Sequence, residues 1–216
     1  MKVEKAAFMG RITAGVTHEI KNVLAIIKES AGLMEDLICL GQDGSPFPRD
    51  KFLRTLTRIS DQVTRGVDLS TTLNEFAHTS DQKTATIDLN QAVAQVVLLC
   101  QRFARLKEIS LIAVPHIKAV SIVTDPLALQ ILLFNSLEFL MDAVGKGAII
   151  SMGPSDTDGT RIMIFADTQS LSPKAGLAQD LTEAFQRSDL RELAAELNMF
   201  AEVLETQMGI AVGVKK

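Results

Sequence analysis

The stretch that decides the fold is residues 10–36, GRITAGVTHEIKNVLAIIKESAGLMED, with His18 near its centre. Apolar residues recur there at steps of three and four, as in a helix with one apolar stripe. The stripe consists of Phe8, Ile12, Val16, Ile20, Val23, Ile27, Ala31, Met34 and Ile38. At about 100° per residue, His18 points away from this stripe. The sequence therefore predicts an amphipathic helix whose polar face displays His18, with Glu19, Lys21 and Asn22 beside it.

A second helical pattern follows residues 41–48, GQDGSPFP, which are rich in turn formers. Asp50 offers a cap for this helix. Its apolar stripe consists of Phe52, Leu56, Ile59, Val63, Val67, Leu73 and Phe76. Two long helices joined by a short loop form an antiparallel hairpin. Because one hairpin buries its stripes incompletely, we expect a homodimer in which two hairpins form a four-helix bundle.

After a polar linker at 78–86, strand patterns alternate with helical ones. Strands are predicted at 87–89, 109–114, 120–123, 148–152, 161–166 and 210–214. Helices are predicted at 91–106, capped by Asp88 or Asn90, at 126–144, opened by Asp125-Pro126, and at 190–208, capped by Asp189. A loop and a short helix are expected within 172–188. The predicted fold class is α+β: a helical hairpin at 1–80 is followed by an α/β sandwich at 85–216.

Composition narrows the function classes. The chain has 216 residues, of which 47% are hydrophobic, enough to fold around a core. Its net charge of −4 argues against nucleic acid or an anionic membrane as the main partner. No apolar run reaches the ~20 residues of a membrane span, and no signal peptide opens the chain, so we expect a cytoplasmic protein. Cys39 and Cys100 are predicted to be buried free thiols, and no metal-ligand spacing occurs.

Five consecutive residues carry a specific resemblance. The sequence His18-Glu19-Ile20-Lys21-Asn22, followed by Val23-Leu24, resembles the H-box of sensor histidine kinases, His-Glu-(Ile/Leu)-(Lys/Arg)-Asn-Pro-Leu. It departs from that pattern where Val23 replaces the Pro. The stretches IDLNQAVAQVV, EISLIAV and DPLALQILLFNSLEFLMDA also follow the opening order of the kinase ATP-binding domain. The resemblance implies that the α/β sandwich has the fold of that domain.

The parts of this domain that would bind ATP depart from the family pattern. Aligning Asn135 and Asp142 on it places Phe139 where an Asn holds Mg²⁺, and a phenyl ring cannot ligate a hard cation. The stretch FADTQSL keeps Asp167 but lacks two glycines that let backbone approach the nucleotide. Residues 193–197, LAAEL, lack the glycine-rich stretch, and 172–188 are too short for a nucleotide lid. We therefore expect no ATP binding and no cofactor.

The remaining pattern is similar to the ChpT-like histidine phosphotransferases, dimeric proteins that relay phosphoryl groups between receiver domains of response regulators. The resemblance implies a phosphotransferase rather than an ATP-dependent kinase, with His18 as the phosphate carrier. Glu19 would accept a hydrogen bond from the ring or act as base, Lys21 would neutralise phosphoryl charge, and Asn22 could orient a water. Mg²⁺ would be supplied by the receiver, and a hybrid kinase is one candidate donor.

The receiver is expected to dock just beyond His18 along the bundle. The predicted contacts are Ile26, Ile27 and Ser30 on the first helix and Arg58 and Gln62 on the second. Two alternatives stay open: a phosphatase of a response regulator that uses Glu19 and Asn22, and a non-catalytic dimeric scaffold in two-component signalling. The sequence does not identify the donor and acceptor receivers.

Overall fold

The computed structural model describes residues 2–42, 47–155, 161–167, 177–204 and 208–214. The helices are α1 Lys2–Gln42, α2 Arg49–His78, α3 Leu89–Leu106, α4 Pro126–Ala143, α5 Leu177–Arg187 and α6 Leu190–Glu196, and a 3₁₀ turn, Thr79–Asp81, follows α2. The strands are β1 Ala85–Asp88, β2 Ser110–Ala113, β3 Ser121–Thr124, β4 Ile149–Pro154, β5 Arg161–Asp167, β6 Met199–Leu204 and β7 Gly209–Val214. The predicted α+β class is confirmed: a helical hairpin precedes an α/β domain.

The hairpin consists of α1 and α2 packed closely together. A Cβ atom on Gly66 of α2 would lie 3.3 Å from Val23 Cγ1 of α1. The first half of the α1 stripe is buried as predicted, at Phe8, Ile12, Val16 and Val23. Further along, Ser30 and Leu37 are buried instead, while Ile38 is 45% exposed. The buried face of α1 therefore rotates along its length.

Two predicted caps start the main helices of the α/β domain. Asp88 accepts hydrogen bonds from two backbone N–H groups in the first turn of α3, at 2.8 and 3.2 Å. Asp125 accepts one from the backbone N–H of Ala128, at 3.0 Å, and Pro126 opens α4. Capping by short polar side chains is local, which is why the sequence predicts it well.

The α/β domain contains a five-stranded sheet in the order β2-β4-β5-β7-β6 and a separate antiparallel pair, β1-β3. Strand β2 is parallel to β4, and the other neighbours are antiparallel. Helix α4 packs against α3, α6 and the sheet. Among the described residues it is the one helix long and apolar enough to cross a membrane, and most of it is buried inside the domain. It is the core helix of the domain.

The predicted helix over 190–208 is wrong beyond Glu196. Asn198 adopts a left-handed φ of 57°, which ends the helix, and the chain continues as β6 along β7. Asp189 stands at the N-cap of α6, but its side chain makes no capping hydrogen bond. The predicted turn between β4 and β5 and the loop before α5 fall partly on 156–160 and 168–176, outside the described residues.

Aromatic residues join the hairpin to the α/β domain. The ring of Phe8 in α1 packs edge-on against Phe76 of α2 and Phe134 of α4, with centroids 5.6 and 5.3 Å apart. Phe134 in turn contacts Phe103 of α3, at 5.4 Å. The two parts thus share one hydrophobic core. Their division into domains at 1–80 and 85–216 stays a prediction.

Candidate phosphotransfer site

His18 lies exposed on α1, and an arginine of α3 contacts its ring. The Nη1 atom of Arg102 is 2.6 Å from His18 Nδ1. The helices approach closely here because α1 has Gly15 one turn before His18: a Cβ at Gly15 would lie 3.1 Å from Phe103 Cζ. A guanidinium group only donates hydrogen bonds, so Nδ1 is the acceptor. In the neutral ring, the proton is therefore on Nε2.

Glu19, the next residue, is buried rather than displayed. It is 3% exposed, and its carboxylate accepts hydrogen bonds from Arg65 of α2 at 2.9 Å and from Arg105 of α3 at 3.0 Å. The second terminal nitrogen of Arg105 lies 2.9 Å from the other carboxylate oxygen, in an ion pair. The expectation that Glu19 shares the exposed polar face of His18 is wrong, because a carboxylate can be buried where cations pair with it. The described hydrogen bonds of Glu19 do not include one to His18.

The other two H-box side chains are less constrained. Asn22 is half-buried, and its Nδ2 donates a long, weak hydrogen bond of 3.5 Å to Glu19 Oε1. Lys21 is exposed and has no ion-pair partner among the described residues. Asn22 is one helical turn from His18, so both side chains lie on the same side of α1. The catalytic roles of these residues stay predictions.

The predicted docking residues differ in accessibility. Arg58 is exposed, and Ile26, Ile27 and Gln62 are half-buried. Ser30 is 3% exposed, which corrects its expected role as a docking contact, since a buried hydroxyl cannot reach a partner. The Oε1 atom of Gln62 is buried and has no hydrogen-bond partner within the part of the chain that the structure describes.

The sequence alone did not reveal the three arginines of this site. Arg65 lies on the second hairpin helix, and Arg102 and Arg105 are supplied by α3 of the α/β domain. One signal was available: Arg102 and Arg105 are three residues apart, so they share a face of a predicted helix. What they contact depends on how α3 packs on α1, which helical periodicity does not specify.

The position aligned with the magnesium-binding Asn of kinases is occupied by an aromatic pair. Phe139 of α4 packs edge-on against Phe185 of α5, with ring centroids 5.8 Å apart. Phe185 is 3% exposed and Leu181, one turn earlier, is 2% exposed, so α5 packs its apolar face inward. Asp167 lies exposed at the end of β5. The residues around Phe139 thus form an apolar contact.

The two cysteines have different environments. Cys100 is buried in α3, as predicted, and burial raises the pKa of its thiol well above the ordinary range, with the negative charge of Glu138 adding to the rise. Glu138 pairs with Arg11, whose guanidinium lies 5.0 Å from the centroid of Phe134. Cys39, expected to be buried, is exposed.

No family model matches the chain. The sensor histidine kinase ZraS of Salmonella typhimurium is 28% identical to it over 181 residues, which cover 84% of this chain and 36% of that protein. The structure of the histidine kinase ThkA in complex with the response regulator protein TrrA shares 18% identity, with 98% of this chain and 62% of that chain covered and a TM-score of 0.42. The structure of a bacterial phosphotransferase shares 15% identity with a TM-score of 0.42, and the match covers 96% of this chain and 95% of that chain.

The architecture and the relationship to the sensor kinase define a histidine kinase-like fold, a helical hairpin followed by an ATPase-like α/β domain. Over 84% of its length, the chain is similar in sequence to a sensor histidine kinase. It spans about a third of the length of the curated relatives that it matches.

Proposed function

We propose that this protein relays phosphoryl groups between receiver domains of response regulators through His18, without binding ATP. The observation that carries this proposal is the exposed imidazole of an H-box whose neighbouring groups are cationic. Imidazole is a competent nucleophile near neutral pH, and its cationic surroundings favour an incoming phosphoryl group. The partners are a donor receiver, for which a hybrid kinase is a candidate source, and an acceptor receiver, all in the cytoplasm.

The transfer requires one bond exchange in each direction. The lone pair of a neutral ring nitrogen of His18 attacks the phosphorus of an aspartyl phosphate, so that an N–P bond forms while the P–O bond to the aspartyl carboxylate breaks. The ring then loses the proton on its other nitrogen to water. The reverse exchange delivers the group to a second receiver. Mg²⁺ bound by the receiver would neutralise the charge on the phosphoryl oxygens, assisted by Lys21.

The proposed independence from ATP is supported by the contact between Phe139 and Phe185. The aligned position offers a phenyl ring where Mg²⁺ needs an oxygen ligand, and α5 packs onto that ring. The phosphoryl group would then reach His18 from a phosphorylated receiver.

The proposed homodimer is supported by apolar side chains that the hairpin leaves exposed. The exposed set on α1 and α2 includes Leu24, Leu53, Leu56, Val63 and Val67, each between 47% and 58% exposed. Contiguous exposed apolar surface of this kind commonly marks an interface. A second copy of the hairpin would cover it in a four-helix bundle. Light scattering tests this: a monomer at micromolar concentration would contradict it.

Transfer of label tests the proposed function directly. The protein is incubated with receivers carrying ³²P on their aspartate, and label on the protein is followed by gel electrophoresis. We expect acid-labile label on the wild type and on His78→Ala, a matched control because His78 is an exposed histidine at the end of α2 that pairs with Asp81. His18→Ala should carry none.

Two outcomes would overturn the proposal. Release of inorganic phosphate from the receiver, with no label trapped on the protein at any time, would indicate the phosphatase. No change in receiver label with any receiver tested would indicate the scaffold.

A further inference from the structure

The H-box is surrounded by more positive than negative charge. Arg65 and Arg105 share the carboxylate of Glu19, with Arg105 bound through both terminal nitrogens. The described contact of Arg102 is with the His18 ring, and no carboxylate pairs with it in the described part of the chain. Arg102 is therefore a cation in contact with a neutral imidazole ring. This is an arrangement that an added anion would stabilise.

The contact between Arg102 and His18 is incompatible with attack by the ring. Nδ1 uses its lone pair to accept a hydrogen bond from Arg102, and Nε2 carries the proton. Attack through Nδ1 requires that its lone pair be released. Attack through Nε2 requires that the proton move to Nδ1, which then can no longer accept from a guanidinium. Arg102 must leave Nδ1 in either case.

We propose that Arg102 is a catalytic residue that moves from the His18 ring to the phosphoryl oxygens and holds the phosphoryl group on His18. This inference rests on the proposed function. A phosphoryl group brings up to two negative charges, and the planar guanidinium fork binds two of its oxygens at once. Arg102 is the arginine of the site that is free to do so, because Arg65 and Arg105 hold Glu19.

The start of the Arg102 side chain is fixed while its end can move. Its Cδ lies 3.9 Å from the position of a Cβ on Gly15, where α3 packs against α1. The guanidinium lies beyond this contact, beside the exposed ring of His18. A rotation about the terminal bonds would therefore carry it to the phosphoryl group without a shift of either helix. In this way the ATPase-like domain would contribute a residue to the phosphotransfer site.

The test compares Arg102→Ala, Arg102→Lys and the control Arg191→Ala in the full chain. Arg191 is an exposed arginine of α6 with no described contact to α1. Two phosphodonors are used: potassium phosphoramidate, which needs no receiver, and phosphorylated receivers. The initial rate of His18 labelling and the half-life of the phosphohistidine are measured, and thermal unfolding verifies that each variant is folded.

For Arg102→Ala we expect the initial rate of His18 labelling to be about tenfold lower than in the wild type with both donors. This effect is smaller than that of removing a buried oxyanion donor, because the site is partly exposed to water. The phosphohistidine should also have a shorter half-life. Arg102→Lys, which keeps the charge but loses the fork, should be intermediate, a rescue that a purely structural role would not give.

The outcomes distinguish the inference from the proposed function. Labelling of Arg102→Ala at or above the wild-type rate would overturn the inference, since Arg102 would then restrain the ring instead of holding the phosphoryl group. In that case the labelled wild type would leave the relay standing. Absence of label on the wild type with both donors would overturn the relay, and the inference with it.

Discussion

Replacing Glu19 by Gln should measure how strongly the H-box anchors α3 to the hairpin. The carboxylate is 3% exposed and pairs with Arg65 and Arg105, whose side chains are 38% and 52% exposed. A charge-assisted hydrogen bond contributes about 1.5–3 kcal/mol when buried, and we take about 1 kcal/mol for each pair because water screens the arginines. The substitution keeps the shape of the side chain but removes the charge. We therefore expect a loss of about 2 kcal/mol from the free energy of unfolding.

Urea unfolding followed by far-UV circular dichroism at one fixed protein concentration measures this loss. For a chain of this size, about 2 kcal/mol corresponds to a midpoint of thermal unfolding lower by about 4–8 °C. The matched control is Glu29→Gln, an exposed glutamate of α1 with no described ion pair, which should change stability by less than about 0.5 kcal/mol.

A double-mutant cycle with Arg105→Ala should give a coupling energy of about 1 kcal/mol between the two side chains. A Glu19→Gln variant as stable as the control, or a coupling energy near zero, would refute the view that this cluster anchors α3.

Two further predictions concern the cysteines and the core of the α/β domain. Iodoacetamide should alkylate Cys39 in the folded protein and Cys100 only after unfolding. Because the pKa of the Cys100 thiol is raised in the folded state, this thiol ionises at lower pH in the unfolded chain. Above about pH 9 the wild type should therefore lose up to about 1.4 kcal/mol of stability per pH unit relative to Cys100→Ala. Equal slopes for the two proteins would contradict this. Phe139→Asn should lower the free energy of unfolding by about 2–3 kcal/mol, because the ring contact with Phe185 is lost. Calorimetry should detect no binding of Mg-ATP to this variant. Tight binding by this variant would show that the rest of a nucleotide site is intact.

The features that the sequence predicts well are local. The caps at Asp88 and Asp125 need only residues within one helical turn, and the stripe that buries Phe8 and Ile12 is set by helical periodicity. The exposure of His18 follows from the same periodicity. These properties depend on neighbours in the chain, so they can be inferred before any packing is known.

The features that the sequence does not predict depend on packing between distant segments. The sequence predicts Glu19 on the polar face with His18, yet it is buried because arginines 46 and 86 residues away pair with it. The residues of β6 form a short apolar run that suits a helix or a strand equally. Their pairing with β7 makes them a strand. The arginine at His18 likewise depends on the docking of α3 on α1.

The contact of Phe8 with both Phe76 and Phe134 means that the hairpin and the α/β domain should unfold as one cooperative unit. Phe8 lies about 15 Å along α1 from His18, taking 1.5 Å for each residue of helix. The interior of the ATPase-like domain thus supports the helix that presents the histidine. A substitution deep in α4 should therefore raise the frequency of local opening beneath His18, and hydrogen exchange of the α1 backbone should become faster.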